Sequence, residues 1–434
     1  MSSTIIYDAI SAKIGVVCTV ALRSKLIVDS TPLKESIEFR WLFSGLGFAG
    51  FGRQLTVVAV PYQVYDITGS TLLVGLLGLV QLFPVLMVSA VGGSLVDAVD
   101  RRTLLMAAQL ATGATAVGLA VNAMLDSPMV WMIFVLSALN AAISTIDHPT
   151  RATLVAAIVT RRQLPAATAL TQSLENVARM VGPAVGGVII VIWGVTSTFV
   201  IEAVCFTIGA LFTMRLVRRS AVGQVAKFGL RSMLEGWEFL KERRLLKANF
   251  AIDLNAMVFG MPLALFPAFG EEVLGGDAST VGLLYAAPGA GAMVAALTSG
   301  WVGTIERQGR AVIISVIIWG LAIAAFGFSR TTWLAVTFLA IAGAADVISS
   351  VFRNTILQLA VPDNLRGRLS SFHVGISSGG PRLGDFEAGA VASATSVPFS
   401  VISGGLACVI GAFIIARKMP ELDAYVDEQA DLPS

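Results

Sequence analysis

Long apolar runs, each near the roughly 20 residues a bilayer crossing requires, alternate along the chain with short connections that hold most of the charge. The runs fall near 41–64, 72–95, 103–124, 129–146, 166–192, 197–216, 248–268, 279–303, 311–329, 333–351, 369–393 and 397–416. They are too long and too evenly apolar for the alternating strands of an outer-membrane barrel. Backbone groups in lipid must be bonded within the segment, so the pattern predicts twelve transmembrane helices.

Basic residues in the connections set the expected orientation. One side carries Arg101 and Arg102, then Arg151, Arg161 and Arg162, then the connection with Arg218, Arg243 and Arg244, and later Arg307, Arg310, Arg353, Arg366, Arg368, Arg417 and Lys418. The other side has Arg330 alone. The bias predicts that both termini and the 217–247 linker are cytoplasmic, in an inner (plasma) membrane of bacterial type. Within the linker, Glu235, Glu238, Lys241 and Glu242 around Trp237, Phe239 and Leu240 read as an interfacial amphipathic helix.

Composition sharpens the class. Of 434 residues, 56% are apolar and 13% charged, with mean hydropathy +0.80, against about 45–50% and 25% in soluble domains. A net charge of +2 leaves no excess to hold a polyanion, so no nucleic-acid partner is expected. The three cysteines, Cys18, Cys205 and Cys408, are far apart and suggest neither disulfides nor a metal site. Residues 1–38 interrupt a weak apolar stretch with Asp8, Lys13, Arg23 and Lys25 and read as a cytoplasmic tail rather than a secretory signal.

Short strings recur in the same order in both halves. Val74-Gly75-Leu76-Leu77 returns as Val281-Gly282-Leu283-Leu284, Arg151-x-Thr153-Leu154 as Arg353-x-Thr355-Ile356, and Gly182-Pro183-Ala184-Val185-Gly186 as Gly380-Pro381-Arg382-Leu383-Gly384. Parallel halves joined by a cytoplasmic linker are a transporter architecture. The expected division is a tail at 1–38, a six-helix half at 39–216, the linker at 217–247, a second six-helix half at 248–416, and a tail at 417–434.

The loop Gly93-Ser94-Leu95-Val96-Asp97-Ala98-Val99-Asp100-Arg101-Arg102 resembles the G-x-L-a-D-r-x-G-r-[RK] signature of the major facilitator superfamily, with Asp100 in place of the second glycine. Gly93 permits close helix approach, and Asp97 can pair with Arg101 and Arg102, so these four residues form a candidate gate. Gly182-Pro183-Ala184-Val185-Gly186-Gly187 is similar to the G-P-x-x-G-G motif of exporters in that superfamily, although Ala178 stands where those exporters usually carry glycine. Proline bends the helix and glycines allow close packing, so Gly182, Pro183, Gly186 and Gly187 form the exporter-type helix. A packing kink is the plain alternative.

Further strings narrow the likeness. Phe39-Arg40 with Val58-Ala59-Val60-Pro61-x-Gln63, Val281 through Ala287, and Gln358-x-x-Val361-Pro362-Asp363-x-Leu365-Arg366-Gly367-Arg368 resemble the enterobactin exporter family, which neighbours macrolide and multidrug efflux carriers. The likeness implies a secondary exporter of a small amphipathic molecule, working as a monomer without cofactor and driven by protons. A siderophore is the first substrate class, macrolides or drugs the alternative, and a non-transporting sensor a remote third.

Ionisable residues inside apolar runs are functional candidates because they are costly in lipid. Arg53, its neighbour Gln54, and Arg382 are the expected substrate contacts. Asp385, Glu387, Asp346 and Glu202 are the candidate proton carriers, since coupling needs a carboxyl able to give up its charge. Glu175 and Arg179, four apart, are expected to pair, and Arg382 and Asp385, three apart, can meet. Gly45-x-Gly47-x-x-Gly50 lacks the strand-turn-helix setting of a dinucleotide fingerprint, and Gly375-x-Ser377-x-Gly379 lacks that of a nucleophile elbow. No P-loop occurs, which argues against ATP as the energy source, and no enzymatic chemistry is expected.

Overall fold

The computed structural model describes residues 29–98, 100–217, 240, 243–298, 305–361 and 363–425. After a single turn at Thr31–Glu35, the long helices are α1 (Ile37–Thr68), α2 (Thr71–Ala98), α3 (Arg101–Ala123), α4 (Val130–Ile158) and α5 (Leu164–Thr213). After residue 243 come α6 (Arg244–Phe259), which starts inside the expected 217–247 linker, a run of short turns from Leu263 to Val273, α7 (Ala278–Leu297), α8 (Gln308–Gly327), α9 (Thr332–Ala360), α10 (Asp363–Ala394) and α11 (Val397–Lys418). We call the end of the bundle holding Asp100, Leu216 and Arg307 proximal, and the end holding Gly69, Asp126 and Arg330 distal.

Local chemistry starts and stops these helices. Ser36 accepts the Phe39 amide at 3.1 Å to open α1, and Gly69, in the left-handed region at φ 59°, closes it. Asp100 opens α3, accepting the Thr103 amide and hydroxyl at 2.9 Å each. This explains the departure from the superfamily loop signature, because the aspartate serves as the helix cap. Gly194, at φ 79° inside α5, reverses the chain. Gly47 and Gly50 of α1 face Leu174 and Ala178 of the incoming segment, whereas Gly45 and Gly52 face Gly209 and Cys205 of the outgoing one, so the two segments run in opposite directions along α1. The apolar runs expected at 166–192 and 197–216 are therefore two crossings folded back at one glycine.

Two boundaries differ from the hydropathy reading. The run expected to end at 146 continues to Ile158, because Asp147 and Arg151, which read as a loop, neutralise each other on one helix face at 3.0 Å. The run expected at 248–268 breaks after Phe259, where Gly260 and Pro262 interrupt α6. Among the described residues, nine helical segments are long and apolar enough to cross a membrane; α1 and α10 are not in that set. Those two are the helices that carry Arg53 and Arg382 into the bundle interior.

Two crossings between helices distant in sequence leave no room for side chains. A Cβ on Gly75 of α2 would lie 2.6 Å from the Asp385 carbonyl oxygen and 3.1 Å from Gly389 Cα of α10. A Cβ on Gly282 of α7 would lie 2.6 Å from the Pro183 carbonyl oxygen and 2.9 Å from Gly187 Cα of α5. Such backbone approach is how membrane helices gain dispersion contact without a hydrophobic drive. On the distal side, Phe269 packs on Phe326 at 4.2 Å between ring centroids, anchoring the broken segment after α6.

Candidate functional site

A cavity of about 340 Å³ lies where α1, α2 and α4 face α7, α10 and the break after α6. Its polar wall comprises Arg53, Thr56, Gln81, Ser137, Asn140, Ser144, Tyr285, Arg382 and Asp385, and its apolar wall includes Val57, Val60, Val74, Leu77 and Leu263. Both expected arginines and one expected carboxylate thus meet in one place. Gln54 is not among the lining residues; its stem packs on Gly182.

The two arginines differ in their partners. Arg53 pairs with Asp147 at 2.5 Å, Asp147 also meets Arg151 at 3.0 Å, and Arg151 reaches Glu175 at 3.0 Å. A chain of alternating charge therefore runs from the cavity wall through α4 to α5. The expected Glu175–Arg179 pair is corrected by this chain, since Glu175 is held by Arg151. Arg382 donates to the Ser378 carbonyl of its own helix and has no carboxylate within ion-pair distance among the described residues, while its buried Nε lacks a partner. The expected contact with Asp385 does not form, because Asp385 Oδ1 accepts the Ala264 amide at 3.0 Å.

The remaining carboxylates occupy separate places. Asp346 lies 3.7 Å from Arg353, whose stronger partner is the buried Asp253 at 2.8 Å. Glu202 is 1% exposed in the outgoing segment of α5, with the Thr56 hydroxyl beside its carboxyl group and no ion pair among the described residues. Glu387 is half-buried, outside the cavity, with no hydrogen bond or ion pair among the described residues.

Of the candidate gate, Gly93 falls within α2 and the Asp97 side chain lies outside the described residues, as does the amphipathic stretch of the linker apart from Leu240, which is buried. Arg101 is buried at the start of α3, and Arg102 donates to the Met214 carbonyl at the end of α5. The exporter-type motif is buried at two contacts: Gly182 and Gly186 face Gln54 and Leu55 of α1, and Pro183 and Gly187 face Gly282 of α7. Sequence reasoning missed Asp147, Tyr285 and the distal pair Tyr65–Glu272. The i,i+4 spacing of Asp147 and Arg151 was the available signal for the first.

Among the described residues the structure is an all-helical bundle around a polar, charged cavity, the make-up of a multi-pass membrane transporter. The chain belongs to the transmembrane secretion effector family, which it matches over residues 28–433. It is 27% identical over 403 residues to an enterobactin exporter, EntS, of Citrobacter koseri, covering 93% of this chain and 97% of that one. It is 28% identical over 399 residues to EntS of Shigella flexneri, with 92% and 96% covered. Among solved structures, the nucleoside transporter NupG superposes with TM-score 0.70 at 15% identity, covering 90% of this chain and all of that one. A POT family transporter in complex with 5-aminolevulinic acid gives TM-score 0.72 at 11% identity, covering 89% and 97%. Relatives and structural neighbours alike are transporters and not enzymes.

Proposed function

We propose that this protein is a twelve-span, proton-driven exporter of a small amphipathic molecule, most closely suited to a siderophore. The observation that carries the reading is the cavity whose wall is shared between residues 39–216 and residues 248–416, with Arg53 on one side and Arg382 on the other. The close crossings of α2 with α10 and of α5 with α7 support two six-helix halves, because each pairs a helix of one half with a helix of the other in the same glycine-on-glycine manner. On that layout the proximal end, with its arginine-rich connections, is cytoplasmic.

Arg382, which forms no ion pair among the described residues, supplies the positive charge that an acidic group on the substrate requires, while Arg53 is partly neutralised by Asp147. Asn140, Ser137, Ser144 and Gln81 offer neutral hydrogen bonds, and Val57, Val60 and Leu77 an apolar surface. Glu202 and Glu387 suit proton coupling better than Asp346, since among the described residues neither forms an ion pair. Arg101, Arg102 and Asp97 close the proximal end when the halves rock.

The test is flux from proteoliposomes under an imposed pH gradient, assayed against catecholate siderophores, macrolides and cationic dyes. Gradient-dependent movement of the siderophores toward the distal side supports the proposal. Preference for macrolides or dyes assigns the chain to drug efflux, and an absence of flux for every compound removes the transport reading.

A further inference from the structure

The break after α6 is held by side chains rather than by backbone. Pro262 cannot donate a hydrogen bond, and the chain turns through the one-turn segment Leu263–Leu265 before resuming as a helix at Phe266. Leu263 and Leu265 donate locally to Met261 and Pro262, at 2.9 and 3.1 Å. Three groups are satisfied from elsewhere: Trp319 of α8 donates to the Gly260 carbonyl at 2.8 Å, Tyr285 of α7 donates to the Leu263 carbonyl at 2.8 Å, and Asp385 of α10 accepts from the Ala264 amide at 3.0 Å. Of these, Tyr285 and Asp385 face the cavity and Trp319 does not.

The same broken segment closes the distal end. Its last turn, Phe269–Val273, is a π-turn, a wider coil that presents Glu271 and Glu272 side by side. Tyr65 of α1 donates to Glu272, and Tyr62, one turn earlier, faces Glu271. These contacts join the first half of the chain to the second at the distal end. Ala264 and Glu272 are eight residues apart, about 12 Å at helical rise, so a shift at the break carries to the tyrosines as one short rod.

We propose that Asp385 is a positioning residue for transport, one that fixes the break by accepting the Ala264 amide and thereby ties occupancy of the cavity to the distal closure. A substrate that sets its acidic group on Arg382 and a hydrogen-bond donor on Asp385 draws that carboxylate from Ala264 and leaves a buried amide without an acceptor. The segment then repacks and the Tyr65–Glu272 contact parts. This role needs an acceptor oxygen at position 385, not a charge, which separates it from proton carriage. It deepens the exporter reading and rests on it for its purpose, but its test requires no substrate.

The experiment uses the full chain in lipid nanodiscs, with Cys18, Cys205 and Cys408 replaced by alanine and spin labels on Asp126→Cys and Thr331→Cys, two exposed distal positions in opposite halves. Distances between the labels report the closed and open distal populations. Tyr62→Phe with Tyr65→Phe, which together remove both closure contacts, marks the open distance. Asp385→Ala is expected to raise the open-to-closed ratio about tenfold, the effect of stranding a buried amide. Asp385→Asn retains an acceptor oxygen and is expected to stay within about twofold of the parent. An unchanged ratio in Asp385→Ala overturns the proposal, and so does an Asp385→Asn variant that opens as far as the alanine. If Asp385→Ala does not fold, Tyr285→Phe removes the neighbouring tie at Leu263 and is expected to open the distal end in the same sense. No opening in that variant overturns the proposal equally. Failure of the exporter reading would be seen separately, as absence of flux.

Discussion

Asp147→Asn perturbs the charge chain at its centre. Asp147 bridges Arg53 at 2.5 Å and Arg151 at 3.0 Å, and the three side chains are 6%, 27% and 10% exposed. Removing one member of a buried pair costs about 3–5 kcal/mol, because the orphaned charge stays desolvated. Two features move the value to the low end: asparagine keeps an acceptor oxygen, and Arg53 is wet enough to be partly screened. The expected cost is about 3 kcal/mol, on the order of a hundredfold in the unfolding equilibrium. Arg53→Gln should cost less, about 1 kcal/mol, because Asp147 keeps Arg151. Arg151→Gln should cost the most, since both Asp147 and Glu175 lose their shared partner. The assay is denaturant unfolding in mixed micelles, run as a double-mutant cycle of Asp147→Asn with Arg53→Gln, and the expected coupling is about 1–3 kcal/mol. A coupling near zero, or Arg53→Gln costing more than Arg151→Gln, would refute the reasoning.

Three other changes test separate parts of the structure. Arg382→Gln should weaken binding of an anionic ligand by roughly tenfold to a hundredfold while leaving a neutral analogue within about twofold, as measured by equilibrium binding to purified protein; equal losses for both ligands would make Arg382 a packing residue. Gly75→Ala drives a methyl group to 2.6 Å from the backbone of α10 and should cost about 1–3 kcal/mol and most transport, whereas Gly47→Ala meets only the Leu174 side chain at 3.5 Å and should be tolerated. Asp100→Ala should destabilise α3 by about 1 kcal/mol and Asp100→Gly by only a few tenths, because glycine is itself an acceptable helix cap; comparable losses in both, by thermal unfolding, would remove the capping explanation for the altered loop signature.

Hydropathy made the helices legible because every buried backbone group in lipid must be bonded within its own segment, a constraint that acts on composition alone. It failed where polar residues pair across a helix face: Asp147 and Arg151 looked like the end of a crossing and instead lie inside α4. The break after α6 was hidden for a different reason. Gly260 and Pro262 are visible in the chain, but α2 and α4 carry interior prolines too, at Pro84 and Pro149, without breaking. What distinguishes Pro262 is the arrival of Tyr285, Trp319 and Asp385 from three other helices, and no local pattern encodes that meeting. Arg53, Arg382 and Asp385, which line the cavity, stand out in the chain because charge within apolar runs is rare. Their partners do not, since which carboxylate an arginine meets is decided by helix packing. The repeat between halves was visible as short strings, yet the spatial counterparts at the glycine crossings are Gly187 and Gly389, whereas the matched strings aligned Gly182 with Gly380.

The central claim is that the cavity shared by Arg53 and Arg382 is the path of a proton-driven exporter. Its most direct test is uphill flux of a transported siderophore in proteoliposomes of the wild-type chain, with the proton gradient imposed and then collapsed by an ionophore, beside Arg382→Gln at matched reconstitution. The account predicts accumulation against the substrate gradient that vanishes on collapse and is largely lost in Arg382→Gln. Accumulation that persists without the proton gradient, or that is undiminished in Arg382→Gln, would contradict it.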